Sequence, residues 1–328
     1  MRPAPTLQDL YRDIVPDLGG VEDAIVSALR SEKPEIAEMA VHASGHGGKR
    51  MRPAMVLLVA RAAGGLVPNH VSLAAVVEMI HLATLVHDDV IDEADLRRRR
   101  RTIKALWNPH DAVLLGDIIF ARAIRLLASM EDARSLITLT SALGTVCEGE
   151  ILQNRRSHDP TLAEETYYEV IDAKTAELYA RGCELASHLA GGTEEASSAF
   201  GAFGRELGVA FQITDDCLDL VGTEAEVGKS LGTDLVGGKM TLPLIMLRAR
   251  LEGDARESFD RVISEGVVSP EDVTAIADLL RVHGVLDDAL DRAREHVATG
   301  VAGLSGHVSD EAYATLEAIG AFVLSRTL

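Results

Sequence analysis

The chain has 328 residues, with 51 Asp and Glu against 32 Lys and Arg, giving a net charge of −19. That acidity disfavours nucleic acid, anionic membranes and phosphorylated ligands in bulk, so an anionic ligand needs a local metal or a concentrated basic patch. Hydrophobic residues make up 47% and aromatics only 4%, which excludes disorder and asks for a core of Leu, Ile, Val and Ala, favouring helices over a β sandwich.

The first eighteen residues carry Asp9, Asp13 and Asp17 where a secretory signal needs an apolar stretch. Cys147, Cys183 and Cys217 are widely spaced and form no CxxC pair, which points to a reducing compartment; a cytoplasmic protein is expected. Helical periodicity then covers 34–45, 49–64, 70–92, 111–129, 132–156, 161–189, 194–221, 240–252, 270–299 and 309–326. In 161–189, Tyr168, Ile171, Thr175, Leu178, Gly182, Leu185 and Leu189 recur at steps of three and four and make a single stripe. Gly64-Gly65, Asn108-Pro109, Asp159-Pro160, Gly191-Gly192 and Ser269-Pro270 punctuate the helices. The most apolar long segment, 71–91, contains Glu78, His81, His87, Asp88 and Asp89, so no membrane span is expected. With no linker or composition break, the reading is one all-α domain over 1–328, its motif-bearing core at about 40–245.

Two aspartate clusters interrupt apolar helices: His87-Asp88-Asp89-Val90-Ile91-Asp92 and Thr214-Asp215-Asp216-Cys217-Leu218-Asp219, both DDxxD. Positions i and i+4 share a helix face about 6 Å apart along the axis, so Asp88 pairs with Asp92 and Asp215 with Asp219. Acidic helix ends can simply be solvated. Two clusters, each preceded by a strongly apolar turn, instead point to facing halves of one metal site, because burying such carboxylates without a counter-charge costs several kcal/mol per group. Oxygen-only donors suit a hard ion, foremost Mg2+, completed by water and phosphate.

Basic residues stand where a diphosphate would need them. Arg97 to Arg101 follow the first cluster, and guanidinium forks match phosphate oxygens. Lys49 and Arg52 share a face at a helix start behind Gly47-Gly48, and His81 lies nearly two turns before Asp88. An arginine run also suits nucleic acid or a solvated patch, but the acidic background and the adjacent DDxxD disfavour that. Two look-alikes fail. The segment 222–230 has one residue too many between its glycines for a Walker loop, and the ExxH at Glu78–His81 has no second copy, as a di-iron bundle requires.

Together, Gly47-Gly48-Lys49-Arg50-Met51-Arg52-Pro53, the first DDxxD with Arg97-Arg98, Lys174-Thr175, and Phe211-Gln212 with the second DDxxD, followed by Lys229 and Lys239, resemble the trans-isoprenyl diphosphate synthase (polyprenyl synthetase) family. The resemblance implies an all-α, isoprenoid synthase-type bundle of antiparallel helices around a deep central cavity, usually homodimeric, with the DDxxD motifs facing each other. It implies that Asp88, Asp92, Asp215 and Asp219 bind up to three Mg2+ ions with the diphosphate of an allylic substrate, which Arg97, Lys174 and Lys239 also hold. Lys49, Arg52, His81 and Arg98 would bind isopentenyl diphosphate, and Thr175 and Gln212 would lie near the developing allylic cation; Lys174, Thr175 and Gln212 are the expected catalytic set.

The sequence departs from the family after the second arginine, where Arg99, Arg100 and Arg101 replace the usual Gly-x-Pro. In the family, an aromatic four or five residues before the first Asp stops growth at short products; here those positions are Thr84 and Ala83. The expected product is therefore longer than farnesyl, of hexaprenyl to nonaprenyl type. The alternatives are a class I terpene cyclase, disfavoured by the second DDxxD and few aromatics, and a catalytic or non-catalytic subunit of a heteromeric prenyl synthase, the non-catalytic case disfavoured by the intact motifs.

Overall fold

The computed structural model describes residues 6–45, 48–221 and 232–325. Among these, the only strands are a two-residue pair; all other regular structure is helical. The chain forms two compact units.

The first unit comprises 1–143, 178–204 and 303–318. Its leading helices are α1 (Leu7–Tyr11), α2 (Val15–Ala28), α3 (Pro34–Ser44), α4 (Met51–Ala63) and α5 (Pro68–Ile91). Thr6 and Asp9 cap α1 reciprocally, each side chain satisfying the other's backbone N–H. Helix α5 is the hub. It packs against α2, α4 and α7 (Pro109–Ala128), and Leu73, Ala74, Ala75 and Val76 are fully buried, because a helix surrounded by helices must be apolar on every side. Alone among the described helices, it is long and apolar enough to cross a membrane by length and composition, and 67% of its apolar window is buried in protein. His70, 0% exposed, sits in its first turn. Between α5 and α7 the chain makes an antiparallel hairpin of β1 (Leu96–Arg97) and β2 (Arg100–Arg101), then the short α6 (Ile103–Leu106). Helix α8 (Ala133–Arg155) leaves this unit at residue 143.

The second unit comprises 144–177, 205–302 and 319–328. Helix α9 (Glu164–Ile171) runs through a π-type turn (Asp172–Ala176) into α10 (Glu177–Leu189), which belongs to the first unit from residue 178, and α11 (Glu194–Val221) belongs to the second from residue 205. The short α12 (Thr233–Val236) precedes α13 (Leu242–Arg250), α14 (Gly253–Glu265), α15 (Pro270–Val282) and α16 (Val285–Ala302), and α17 (Asp310–Leu324) belongs to this unit from residue 319. Leu220, Leu235, Leu244, Leu247, Phe259, Ile263 and Leu280 form much of its core.

Two expectations need correction. The stripe over 161–189 is not one helix: the Glu177 N–H bonds to the Asp172 carbonyl, five residues back, and the extra residue bulges the helix at Lys174 and Thr175. The segment 270–299 is two helices, broken at His283-Gly284, where Gly284 takes φ 63°, a conformation glycine adopts at no steric cost. Unpredicted helices also occur. Helix α14 buries only Phe259 and Ile263, too few apolar positions to register as a period. The three cysteines are unbridged; burial pushes the Cys183 thiol up to about 12, which leaves it inert.

Candidate active site

In the first unit the site begins at the turn between α3 and α4. Arg50 adopts φ 47°, and its guanidinium grips Glu22 twice, at 2.6 and 3.1 Å, and Glu78 at 2.6 Å. The Tyr11 hydroxyl donates to the Lys49 carbonyl at 2.9 Å. These contacts hold the turn so that the Lys49 side chain is exposed and Arg52 enters the first turn of α4, its guanidinium carbon 4.7 Å from the centre of the Tyr179 ring. The Glu78 of the rejected ExxH is thus the structural partner of Arg50.

His81 stands one turn after Glu78 on α5. Burial, with the charges of Arg52, Arg98, Arg97 and Arg50, holds its imidazole well below the usual histidine range, so it is neutral at pH 7. Arg98 packs on the Gly48 backbone, where a Cβ would meet its guanidinium carbon at 3.0 Å. Arg52, Arg97 and Arg98 therefore all lie within electrostatic reach of His81. The hairpin places two of them: Arg97 pairs with Arg100, and the two-residue turn takes φ 50° at Arg98 and 62° at Arg99, the pattern of a type I′ turn. Arg97 also donates to Asp89 at 2.6 Å. Asp89 is 4% exposed, whereas Asp88 is half-buried and Asp92, the residue that ends α5, is exposed. Below them Ala83 is 0% exposed, while Thr84 is half-buried and donates to the His81 carbonyl at 2.8 Å.

In the second unit a cavity of about 60 Å3 is lined by Gln153, Tyr167, Lys174, Thr175, Gln212, Asp216, Asp234 and Lys239, among others. The π-type turn faces Lys174 and Thr175 into it. Lys174 donates to Gln153 at 2.8 Å and forms an ion pair with Glu150. Thr175 donates to Gln212 at 2.8 Å, Gln212 to Asp216 at 2.7 Å, and Tyr167 to the other Asp216 oxygen at 2.7 Å. Lys239 follows a turn whose Gly238 carbonyl accepts the His158 N–H at 2.8 Å, and its ammonium is 4.0 Å from Asp234.

The second aspartate cluster divides its labour. Asp215 is half-buried. Asp216 is enclosed; burial and the charges of Asp234 and Asp215 push its carboxyl well up, against the pull of its two donors. Asp219, 1% exposed, accepts from the Thr233 hydroxyl at 2.7 Å and the Asp234 N–H at 3.0 Å, capping α12. Gly47 and the 222–230 segment with Lys229 lie outside the described residues.

Asp88 and Asp92 in the first unit, and Asp215 in the second, keep open surface and offer the oxygen donors that hard divalent ions prefer. Among the described residues no three His, Cys, Asp or Glu side chains gather on one point; magnesium ordinarily completes its octahedron with water and phosphate oxygens. Sequence reasoning missed Arg50, Glu78, Glu150, Gln153, Tyr167 and Asp234. Arg50 and Glu78 lie in motifs but were given no role there, the other four belong to none, and tertiary proximity gives all six a role.

Comparison with known proteins accords with this geometry. The polyprenyl synthetase family model matches residues 33–280. An octaprenyl diphosphate synthase of Haemophilus influenzae is 38% identical over 299 residues, covering 90% of each chain. An all-trans-nonaprenyl-diphosphate synthase (geranyl-diphosphate specific) of Rhodobacter capsulatus is 39% identical over 290 residues, covering 88% of each. A polyprenyl synthase of Caulobacter crescentus CB15, solved in complex with calcium and isoprenyl diphosphate, superposes with a TM-score of 0.95 at 36% identity, covering 100% of both chains. With the motifs, the all-α fold of isoprenoid synthase type and these relatives in agreement, the chain belongs to the polyprenyl synthetase family of prenyltransferases.

Proposed function

We propose that this chain is an all-trans polyprenyl diphosphate synthase that condenses isopentenyl diphosphate head-to-tail onto an allylic diphosphate and extends it beyond farnesyl, to hexaprenyl to nonaprenyl length. The observation that carries the reading is the local concentration of Arg52, Arg97 and Arg98 within electrostatic reach of a neutral His81, with Arg98 packed on Gly48 beside Lys49, in a chain of net charge −19. Concentrated guanidinium forks beside a neutral imidazole donor are what a diphosphate requires.

Lys49, Arg52, His81 and Arg98 bind isopentenyl diphosphate. Arg97, Lys174 and Lys239 would bind the allylic diphosphate, and Asp88, Asp92, Asp215 and Asp219 would hold Mg2+, Asp219 through the lone pairs that its Thr233 and Asp234 contacts leave. When bound, Mg2+ neutralises diphosphate charge and makes it a better leaving group. The allylic C–O bond breaks with its electron pair going to the diphosphate, whose growing charge the fixed cations stabilise. Thr175 and Gln212 present side-chain oxygens beside the allylic cation. The isopentenyl double bond supplies the pair for the new C–C bond, and the proton then lost passes to the departed diphosphate, so the chain supplies no strong base. Small residues at Ala83 and Thr84 leave out the aromatic block associated with short products.

The same reading includes a cytoplasmic homodimer that neither spans a membrane nor binds nucleic acid. Val113, Leu114 and Ile124 on α7 and Ile137 on α8 are large apolar side chains exposed in the single chain, a surface suited to a second copy. The test is an elongation assay with Mg2+, radiolabelled isopentenyl diphosphate and farnesyl diphosphate, resolved by reversed-phase chromatography. A ladder of longer prenyl diphosphates is expected; no elongation would sink the proposal.

A further inference from the structure

Tyr167 belongs to no motif, yet it anchors a chain of directed hydrogen bonds. Its ring is 4% exposed, and its hydroxyl donates to Asp216 Oδ2 at 2.7 Å. Asp216 Oδ1 accepts from Gln212 Nε2 at 2.7 Å, and Gln212 Oε1 accepts from the Thr175 hydroxyl at 2.8 Å. Each link sets the polarity of the next. Asp216 takes the Tyr167 hydroxyl on one oxygen and the Gln212 Nε2 on the other, so the Gln212 nitrogen faces Asp216 and its oxygen is left to face Thr175. All four residues line the same cavity. Asp216 is 3% exposed, so losing the phenol would leave one buried carboxyl oxygen without its partner, and the carboxyl would turn to recover one. The Gln212 amide would then lose its reason to point one way.

We infer that Tyr167 is a positioning residue for the prenyl transfer: acting through Asp216, it holds the Gln212 amide oxygen and the Thr175 hydroxyl in register beside the developing allylic cation. The inference rests on the proposed placement of Thr175 and Gln212 at that cation. A dipole fixed before reaction costs no reorganisation when charge appears, so its value shows in turnover, not in ground-state binding.

The test uses the full chain as Tyr167→Phe, Tyr167→Leu, Gln212→Ala and the Tyr167→Phe/Gln212→Ala double variant. Turnover, KM for each diphosphate, magnesium half-saturation and thermal midpoint are measured. Leaving a buried carboxyl oxygen without its partner predicts that Tyr167→Phe lowers kcat by about ten- to a hundredfold. The KM for isopentenyl diphosphate and the magnesium half-saturation should stay within about twofold, since neither depends on the amide's direction. Tyr167→Leu should lose thermal stability but little further turnover. In the double variant the losses should be less than multiplicative, because both changes break one chain. An impaired Gln212→Ala beside a fully active Tyr167→Phe would overturn the inference while leaving the site assignment standing. So would losses that simply multiply, or a turnover loss that appears only with Leu and follows the thermal midpoint. A fully active Gln212→Ala would remove the site assignment and the inference together.

Discussion

Arg50 reaches across from the α3–α4 turn to Glu78 on α5, Nη1 to Oε1 at 2.6 Å, with side-chain exposures of only 18% and 11%. This ion pair ties the segment carrying Lys49 and Arg52 to the helix carrying His81 and the first aspartate cluster. Removing one partner of a buried pair leaves an uncompensated charge and typically costs about 3–5 kcal/mol. Because Arg50 keeps Glu22, Glu78→Ala is expected to lower unfolding free energy by less than that, about 1–3 kcal/mol in urea titration, and to raise the KM for isopentenyl diphosphate. Arg50→Met/Glu78→Leu should recover much of the stability, because both charges are gone.

The hairpin turn carries a second prediction. Arg99 holds φ 62°, a left-handed conformation that glycine adopts at no steric cost. A left-handed residue with a Cβ costs about 1–2 kcal/mol, offset in part by the roughly 0.5–1 kcal/mol that glycine loses in ordering. Arg99→Gly is expected to leave thermal stability unchanged or raise it by up to about 1 kcal/mol. Arg99→Val, β-branched at the same position, should destabilise and should slow turnover by displacing Arg98.

His70 makes stability depend on pH. Its Nδ1 accepts the Val67 N–H at 2.8 Å and its Nε2 donates to the Ala186 carbonyl at 2.9 Å, so the buried ring is held in one neutral tautomer. Burial, the largest cause, lowers its pKa below the ordinary 6.5. A lowered folded pKa means that the unfolded chain binds the extra proton first as pH falls. The stabilisation is then complete above about 6.5 and declines below it, by at most about 1.4 kcal/mol per pH unit for one proton. Thermal midpoints measured at pH 8, 6.5 and 5.5 should fall in that order, and His70→Gln should flatten the dependence.

Product length should respond to one of the two candidate wall positions more cleanly than to the other. Ala83 is wholly enclosed, so Ala83→Phe overpacks the core and is expected to cost about 1–3 kcal/mol. Thr84 keeps open surface, so Thr84→Phe should fold normally and shorten the ladder of radiolabelled products. An unchanged ladder from a folded Thr84→Phe would place the growing chain elsewhere.

Much of this protein was legible in its sequence because helix periodicity and i, i+4 spacing are local. The apolar run of α5, the paired aspartates, Lys49 with Arg52, and Lys174-Thr175 all follow from which residues share a helix face. Interruptions were harder to read. The π-type turn at 172–176 and the break at Gly284 preserve the apolar stripe while changing the backbone, and periodicity registers only the stripe.

The sequence by itself determined the all-α class, the family and the chemistry of the donor sets, since these depend on composition and on spacing along the chain. Only the tertiary structure decided how each ionisable group is used. It paired Arg97 with Asp89 and Arg50 with Glu78, made Asp219 a helix cap, held His81 neutral among arginines, and set Tyr167 on Asp216. Burial and partners close in space control a group's charge and direction, and those partners come from helices far apart in sequence.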